Sequence, residues 1–255
     1  MWTDVADLRD FYAGPLGGVA RRLIARQIGE LWPDVSGERL AGVGFAAPFL
    51  ANYIDSAERL LAFMPARQGV INWPAQGPSV SALVEEDDLP LTDAAVERIM
   101  LVHCLENADF PAAVLKEAWR VLAPGGRLIA VAPNRRGLWA RVDNSPFGHG
   151  RPFSRSQLTL LLKETGFSPA NWREALFVPP LERFGLLRAA AAFERAGNIL
   201  PLMFGGVLIV EAQKQFLTAR PIRALERVRR TLPGLAEPAV ARRQTLAGGG
   251  RTHYT

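Results

Sequence analysis

Short apolar runs alternate with helical segments through the middle of the chain, and this alternation constrains the fold more than any other feature. Five apolar runs are typical of strands: residues 39–43, 60–63, 80–84, 96–102 and 127–132. Helical spacing is found near residues 48–56 and over 111–122. Strands that alternate with helices form a parallel sheet covered on both faces. Ligands of such sheets bind beyond the carboxyl ends of the strands, so the residues directly after each run are the candidates for a site.

The two ends of the chain differ from this middle part. Apolar residues at helical spacing between Asp4 and Leu31, interrupted at Gly14-Pro15, predict two helices. The formal net charge is +5, but nine basic and two acidic residues lie from Lys214 onward, so the remainder is slightly acidic. We therefore expect a helical cap at 1–34, a sheet domain at 35–215 and a basic, flexible tail at 216–255. A nucleic-acid partner is not expected, because the fold itself carries no basic excess.

The content of cysteine and histidine narrows the class of protein. One cysteine and three histidines give no disulfide framework and no Cys/His metal cluster, so no metal is expected. The first residues carry acids where an export signal would be basic and then apolar. The most apolar run, 199–210, is too short to cross a bilayer and is broken by Pro201, Gly205 and Gly206. We expect a cytoplasmic protein without a transmembrane segment.

The segment RVLAPGGRLIAV, residues 120–131, is the clearest local signal. A helix is expected to end at Ala123, because Pro124 cannot continue it and Gly125-Gly126 permit a tight reversal before a strand. Together with segments 89–107, 153–167 and 205–215, in this order and spacing, it resembles class I S-adenosylmethionine-dependent methyltransferases. The subgroup that acts on small molecules, lipids and other varied acceptors is the most similar. The resemblance runs from about residue 39 to residue 213.

This resemblance implies an α/β fold: a Rossmann-like, seven-stranded, mostly parallel sheet with helices on both faces, preceded here by the helical cap. It also implies S-adenosylmethionine as the cofactor. The residues it assigns to cofactor binding follow the first four strands: Gly42, Gly44, Phe45, Ala46, Met64, Pro65, Glu85, Glu86 and His103. Of these, Glu85 is expected beside the adenine, and His103, near the sulfonium, is the candidate catalytic residue.

Four positions depart from the family's pattern. Gly42 stands where an acid is expected, Ala46 and Pro48 replace the second and third glycines of the loop, and Met64 replaces the acid that holds the ribose hydroxyls. Weak or lost cofactor binding is therefore expected. Residues 42–47 also spell the G-x-G-x-x-A pattern of nicotinamide enzymes. That alternative needs the same ribose acid about 20 residues later, and the PGG turn favours the methyltransferase.

The methyl acceptor is expected on loops after the fifth strand. The residues there that suit an anionic substrate or a protein partner are Asn134, Arg135, Arg136, His149 and Arg151. The segment His103-Cys104-Leu105-Glu106 lacks the Asn/Asp-Pro-Pro-aromatic pattern of enzymes that methylate adenine or glutamine amines, so such acceptors are not expected. Methyl transfer is the predicted function. The alternative is a methyltransferase-like protein without catalysis that acts as a regulatory or assembly partner.

Overall fold

The computed structural model describes residues 2–143, 145–181, 188–199 and 204–215. They belong to one compact unit, Met1–Leu217. The predicted basic tail at 216–255 lies outside the described residues. No helix within the described ranges is long and apolar enough to span a membrane.

Seven strands form one sheet in the order β3-β2-β1-β4-β5-β7-β6. They are β1 (Arg39–Gly44), β2 (Arg59–Pro65), β3 (Ser81–Val84), β4 (Val96–Val102), β5 (Leu122–Pro133), β6 (Phe167–Ala175) and β7 (Val207–Lys214). β7 is antiparallel to both of its neighbours, and the pairs β1–β2, β1–β4, β2–β3 and β4–β5 are parallel. The predicted Rossmann-like, seven-stranded and mostly parallel sheet is confirmed.

In the part of the chain that the structure describes, six helices lie against the two faces of this sheet. They are α1 (Val5–Ala13), α2 (Pro15–Leu31), α3 (Ala47–Leu50), α4 (Pro111–Val121), α5 (Arg155–Glu164) and α6 (Ala190–Ile199). Buried side chains of α1, α2 and α3 share one apolar cluster with one face of the sheet. Buried side chains of α4 and α5 share a second cluster with the other face. The sheet thus separates two core layers, as expected for a parallel sheet in an α/β domain.

The two N-terminal helices form for local reasons that the sequence shows. Asp4 caps α1, because its side chain accepts a hydrogen bond from the Ala6 backbone N–H at 2.7 Å. Gly14 ends α1 with its N–H on the Asp10 and Phe11 carbonyls, and Pro15 begins α2 at a position where its missing N–H costs nothing. The two predicted helices are confirmed. They pack into the core of the sheet, so the cap is structurally continuous with the domain.

Two predicted elements differ in extent from the structure. The helix expected near 48–56 is only α3 followed by a 3₁₀ turn at Ala51–Tyr53. The Tyr53 ring is buried and its hydroxyl donates to the Trp32 carbonyl, which holds this segment against the core. In addition, β5 begins at Leu122, directly after α4, so the Pro-Gly-Gly residues lie within the strand. Gly125 has the positive φ of +74° that the sequence predicts for this region.

Candidate active site

The predicted cofactor residues lie at the carboxyl ends of the first four strands. Strand register pairs Gly44 with Val102, so the loop after β1 lies against the residue that precedes His103. Met64 and Pro65 end β2, next to Leu83 and Val84 of β3. Glu85 and Glu86 follow β3 directly. The topology thus brings these residues to one edge of the sheet, where ligands of such folds bind.

Gly44 is required by the packing between two strands. Its φ of +86° favours glycine, and a Cβ atom there would lie 2.2 Å from the Val102 carbonyl oxygen. The next residue continues this contact, because the Phe45 N–H donates to the same oxygen at 2.7 Å. The close approach that the glycine permits is therefore an approach to β4.

Gly42, the position of the missing acid, is enclosed by the loop and by α3. A Cβ atom at Gly42 would lie 2.6 Å from the Ala46 Cβ and 2.7 Å from the Leu50 Cδ1. Ala46 and Leu50 are themselves buried. Apolar side chains therefore fill the space that an acidic side chain at this position would need.

Helix α1 covers the end of β1. The ring of Tyr12 stacks on that of Phe45, with centroids 5.8 Å apart and planes 15° from parallel. Its hydroxyl is hydrogen bonded to the His103 Nε2 at 2.8 Å. At the other end of the helix, the Val5 N–H donates to the Gln68 carbonyl at 2.8 Å. The helix is tied at both ends to loops that follow β2 and β4.

His103 is the centre of a buried polar cluster. Its Nδ1 lies 3.3 Å from the Glu106 Oε1, opposite the nitrogen that contacts Tyr12. The Gln68 and Asn107 amides donate to its backbone carbonyl at 3.4 and 3.3 Å. His103 has a φ of +50°, a conformation that non-glycine residues adopt at a cost. Both ring nitrogens of the candidate catalytic residue are therefore engaged within the protein.

The electrostatics of this cluster follow from its burial. Burial raises the pKa of Tyr12 well above its usual value, and the nearby Glu106 carboxylate raises it further. Cys104, next to His103, has its thiol pKa raised in the same way, by burial first and then by Glu106 and Glu86. Both groups stay protonated at neutral pH, so neither supplies a nucleophilic anion in this arrangement.

The predicted ribose and adenine positions differ in accessibility. Met64 is fully buried, and its sulfur accepts the Ile71 N–H at 3.4 Å. The Pro65 carbonyl accepts hydrogen bonds from Gln68 and Gly69, which closes a tight turn after β2. Glu85 is exposed, whereas Glu86 is partly buried and burial raises its pKa. Only the adenine side of the predicted site is therefore open to solvent.

The residues predicted to bind the acceptor make contacts with different partners, and these contacts do not gather their polar groups at one point. The buried Asn134 amide donates to the Gly205 carbonyl at 2.9 Å, and its oxygen accepts from the Arg136 N–H, so it holds the loop together. The Arg135 guanidinium donates to the Pro152 carbonyl, and that of Arg136 lies over the Phe204 ring at 4.8 Å. Arg151 is exposed.

A cavity of about 500 Å³ lies beside these loops and brings together residues that the sequence left unassigned. Its lining comes from the start of α1 and from the loop after β5: Trp2, Thr3, Asp4, Asp7, Phe11, Asp143, Ser145, Pro146, His149 and Gly150. Of the predicted acceptor residues, the lining contains His149. The helical spacing marked Phe11 and Tyr12 as one apolar face, but spacing does not reveal which loop a face covers.

Strand order, the antiparallel β7 and the loops at the carboxyl ends of the strands define a Rossmann-like methyltransferase fold. Residues 41–130 match the methyltransferase domain family. A probable S-adenosylmethionine-dependent methyltransferase of Mycolicibacterium smegmatis is 31% identical over 129 residues, which cover 49% of each chain. Over this domain the chain is similar to S-adenosylmethionine-dependent methyltransferases, which use S-adenosylmethionine as their cofactor. The chain spans about half the length of that relative.

Solved structures agree on the fold. A Thermotoga maritima protein described as an S-adenosylmethionine-dependent methyltransferase, possible histamine N-methyltransferase, superimposes with a TM-score of 0.57 at 18% identity, covering 83% of this chain and 96% of its own. A chain from a Haloferax volcanii structure, described as a complex between the Trm112 methyltransferase activator and a methyltransferase, superimposes with a TM-score of 0.59 at 17% identity. The match covers 84% of this chain and 98% of that chain. At these identities the likeness concerns the fold alone.

The residues of this chain do not fit the cofactor in the arrangement described here. Phe45, Met64 and His103 are at most 2% exposed, and Tyr12 is 5% exposed. The ribose position offers a thioether in place of a carboxylate. A cavity of about 260 Å³ borders Tyr12 and Phe45, but its lining among the described residues contains no acid. Bonds to the ribose hydroxyls therefore lack their usual acceptor.

Proposed function

We propose that this chain is an S-adenosylmethionine-dependent methyltransferase whose cofactor enters only after α1 has moved away from the ends of β1 and β4. The match of residues 41–130 to the methyltransferase domain family carries the chemistry of the proposal. The hydrogen bond between Tyr12 and His103, together with the stacking on Phe45, supports the closure. Gly14 separates α1 from α2 and gives the helix a place at which to turn.

The movement of α1 away from the sheet costs free energy, and this cost sets the expected affinity. Moving α1 exposes Val5, Leu8 and Tyr12, and each buried apolar side chain is worth roughly 1.5–3 kcal/mol. The cofactor must offset this cost, because apparent affinity falls with the population of the open form. We therefore expect S-adenosylhomocysteine, the demethylated product, to bind with a Kd in the range of roughly micromolar or worse.

Titration calorimetry with S-adenosylhomocysteine tests the proposal when the hold of α1 is weakened. Tyr12→Phe removes the bond to His103, and a buried hydrogen bond is worth about 1 kcal/mol, so the affinity should improve about fivefold. Tyr53→Phe is the matched control, because its hydroxyl bonds the Trp32 carbonyl elsewhere in the core. It should lower stability similarly without changing the affinity.

A second candidate function is that of a methyltransferase-like protein that binds no cofactor and acts as a regulatory or assembly partner. The apolar filling around Gly42 and the buried Met64 favour it. If neither the wild type nor Tyr12→Phe retains S-adenosylhomocysteine at millimolar concentration, while both remain folded, the enzymatic proposal fails and this one takes its place.

An anionic acceptor finds little support in the loop after β5. It would need the guanidinium groups of Arg135, Arg136 and Arg151 to face a common point, but the first two are directed to a carbonyl and to a ring. Double substitution of Arg135 and Arg151 by alanine should therefore leave the affinity for S-adenosylhomocysteine near its wild-type value. The acidic lining of the neighbouring cavity suggests a different class of ligand.

A further inference from the structure

We infer that the cavity between the start of α1 and the loop after β5 binds a small organic cation that combines an ammonium group with an apolar part. This inference concerns binding. It rests on the proposed function only if the cation is also the methyl acceptor.

Charge is the first reason. Three carboxylates line the cavity, from Asp4, Asp7 and Asp143, and all three residues are exposed. Among the described residues of the lining there is no lysine or arginine. The Asp4 Oδ1 caps α1 by accepting the Ala6 N–H, so the cap does not involve the other carboxylate oxygen. Carboxylates gathered in this way favour a cationic ligand.

An unpartnered buried hydroxyl is the second and independent reason. Ser145 is only 3% exposed, and its Oγ has no hydrogen-bond partner although it lines the cavity. Buried polar groups nearly always have a partner, so an unpartnered hydroxyl on a residue of the cavity wall indicates a ligand or an ordered water. A serine hydroxyl can accept a hydrogen bond from an ammonium group.

The aromatic part of the lining distinguishes an organic cation from a metal ion. Trp2 and Phe11 supply ring surface, which attracts an ammonium group and packs against its apolar part. The volume of about 500 Å³ lies within the range of small-molecule sites. In the described ranges, no group of three or more metal-ligating side chains is placed to hold a metal ion.

The cavity is also close to the predicted active site. Phe11 contacts the Phe147 ring at 6.2 Å between centroids, and Phe147 in turn contacts His103 at 4.8 Å. One layer of aromatic side chains therefore separates a ligand in the cavity from the end of β4. Because α1 carries Asp7 and Phe11 as well as Tyr12, a ligand in the cavity contacts the same helix that covers the end of β1.

Calorimetric titration with 2-phenylethylamine, without any cofactor, tests the inference. The amine should bind with a Kd below about 1 mM, and 3-phenylpropionate, which has a similar size and the opposite charge, should not bind. Asp7→Asn and Asp143→Asn should each weaken the amine about threefold to fivefold, and together by at least about tenfold. Raising the salt concentration should weaken it as well.

Asp10→Asn is the matched control, because Asp10 lies on the same helix, is exposed and pairs with Arg9 outside the lining. It should bind the amine as the wild type does. The inference is overturned if 3-phenylpropionate binds equally well, if the Asp7 and Asp143 variants match the control, or if magnesium chloride displaces the amine at equal ionic strength. Titration with S-adenosylhomocysteine is a separate readout, so a failure of the proposed function leaves the amine result interpretable.

Discussion

Gly42 shows how single residues decide what the end of β1 can hold. Related enzymes are expected to carry an acid there, but here a Cβ atom would lie within 2.7 Å of Ala46 and Leu50. Gly42→Asp should therefore lower the free energy of unfolding by roughly 2–4 kcal/mol, because it both overpacks the core and buries an unpaired carboxylate. Urea denaturation measures the change.

Gly29→Ala is the control for this substitution, since nothing lies within 4 Å of a Cβ at that helical position. Alanine favours a helix over glycine by about 1 kcal/mol, so this variant should be slightly more stable than the wild type. A Gly42→Asp variant that is as stable as the wild type would mean that α3 can withdraw from β1 and that the loop is less closed than described.

Contacts between residues that are far apart in the chain are not predictable from the sequence alone. The spacing of Leu8, Phe11 and Tyr12 predicts the apolar face of a helix, and the structure confirms that helix. It does not predict that the Tyr12 hydroxyl reaches His103, because that contact joins residues 91 positions apart. Similarly, the sequence shows that Met64 departs from the family pattern. It does not show that the Ile71 backbone N–H donates a hydrogen bond to the Met64 sulfur.

At the scale of elements, the Glu117 carboxylate is one of the groups that join α4 to the loop after β3. Glu117 accepts hydrogen bonds from the Leu89 N–H at 2.7 Å and from the Arg120 guanidinium at 2.6 and 2.9 Å. The bond with Arg120, followed by that with Leu89, lowers the pKa of Glu117 against the opposing effect of its burial. This carboxylate stabilises the fold only while it is ionised.

Glu117→Gln should reduce the free energy of unfolding by about 1–3 kcal/mol near neutral pH, because it weakens charge-assisted bonds. Since the folded pKa is below the unfolded one, the wild-type advantage is present above the unfolded pKa, about 4.3, and is lost as pH falls through the folded pKa. Urea denaturation at several pH values measures this convergence. Glu164→Gln, at the exposed end of α5, is the control. A difference that does not change with pH would contradict the assigned role.

Elements were predictable where their signal is local. β4 lies where its apolar run places it, and α4 lies where the helical spacing places it. The contact of Tyr53 with the Trp32 carbonyl, next to the short α3, was not predictable, because it joins residues 21 positions apart. The start of β5 at Leu122 depends on pairing with Val96, which the sequence alone does not specify.

At the scale of the whole molecule, a sheet with helices on both faces was predictable, but the accessibility of the carboxyl ends of its strands was not. The alternation of strands and helices fixes a sheet between two helical layers. Whether the edge of that sheet is open depends on α1, which joins the same apolar cluster as β1, β2 and β4. In the proposed function, the position of α1 therefore governs access to the ends of β1 and β4.

Hydrogen exchange of α1, followed by mass spectrometry with and without millimolar S-adenosylhomocysteine, tests that claim most directly. Without the ligand, the amides of residues 5–13 should be protected, because Val5, Leu8 and Tyr12 are buried and the helix is tied at both ends. With the ligand, exchange in α1 should rise while β4 and β5 keep or increase their protection. Equal protection of α1 in both conditions would contradict the claim that the helix must move for the cofactor to enter.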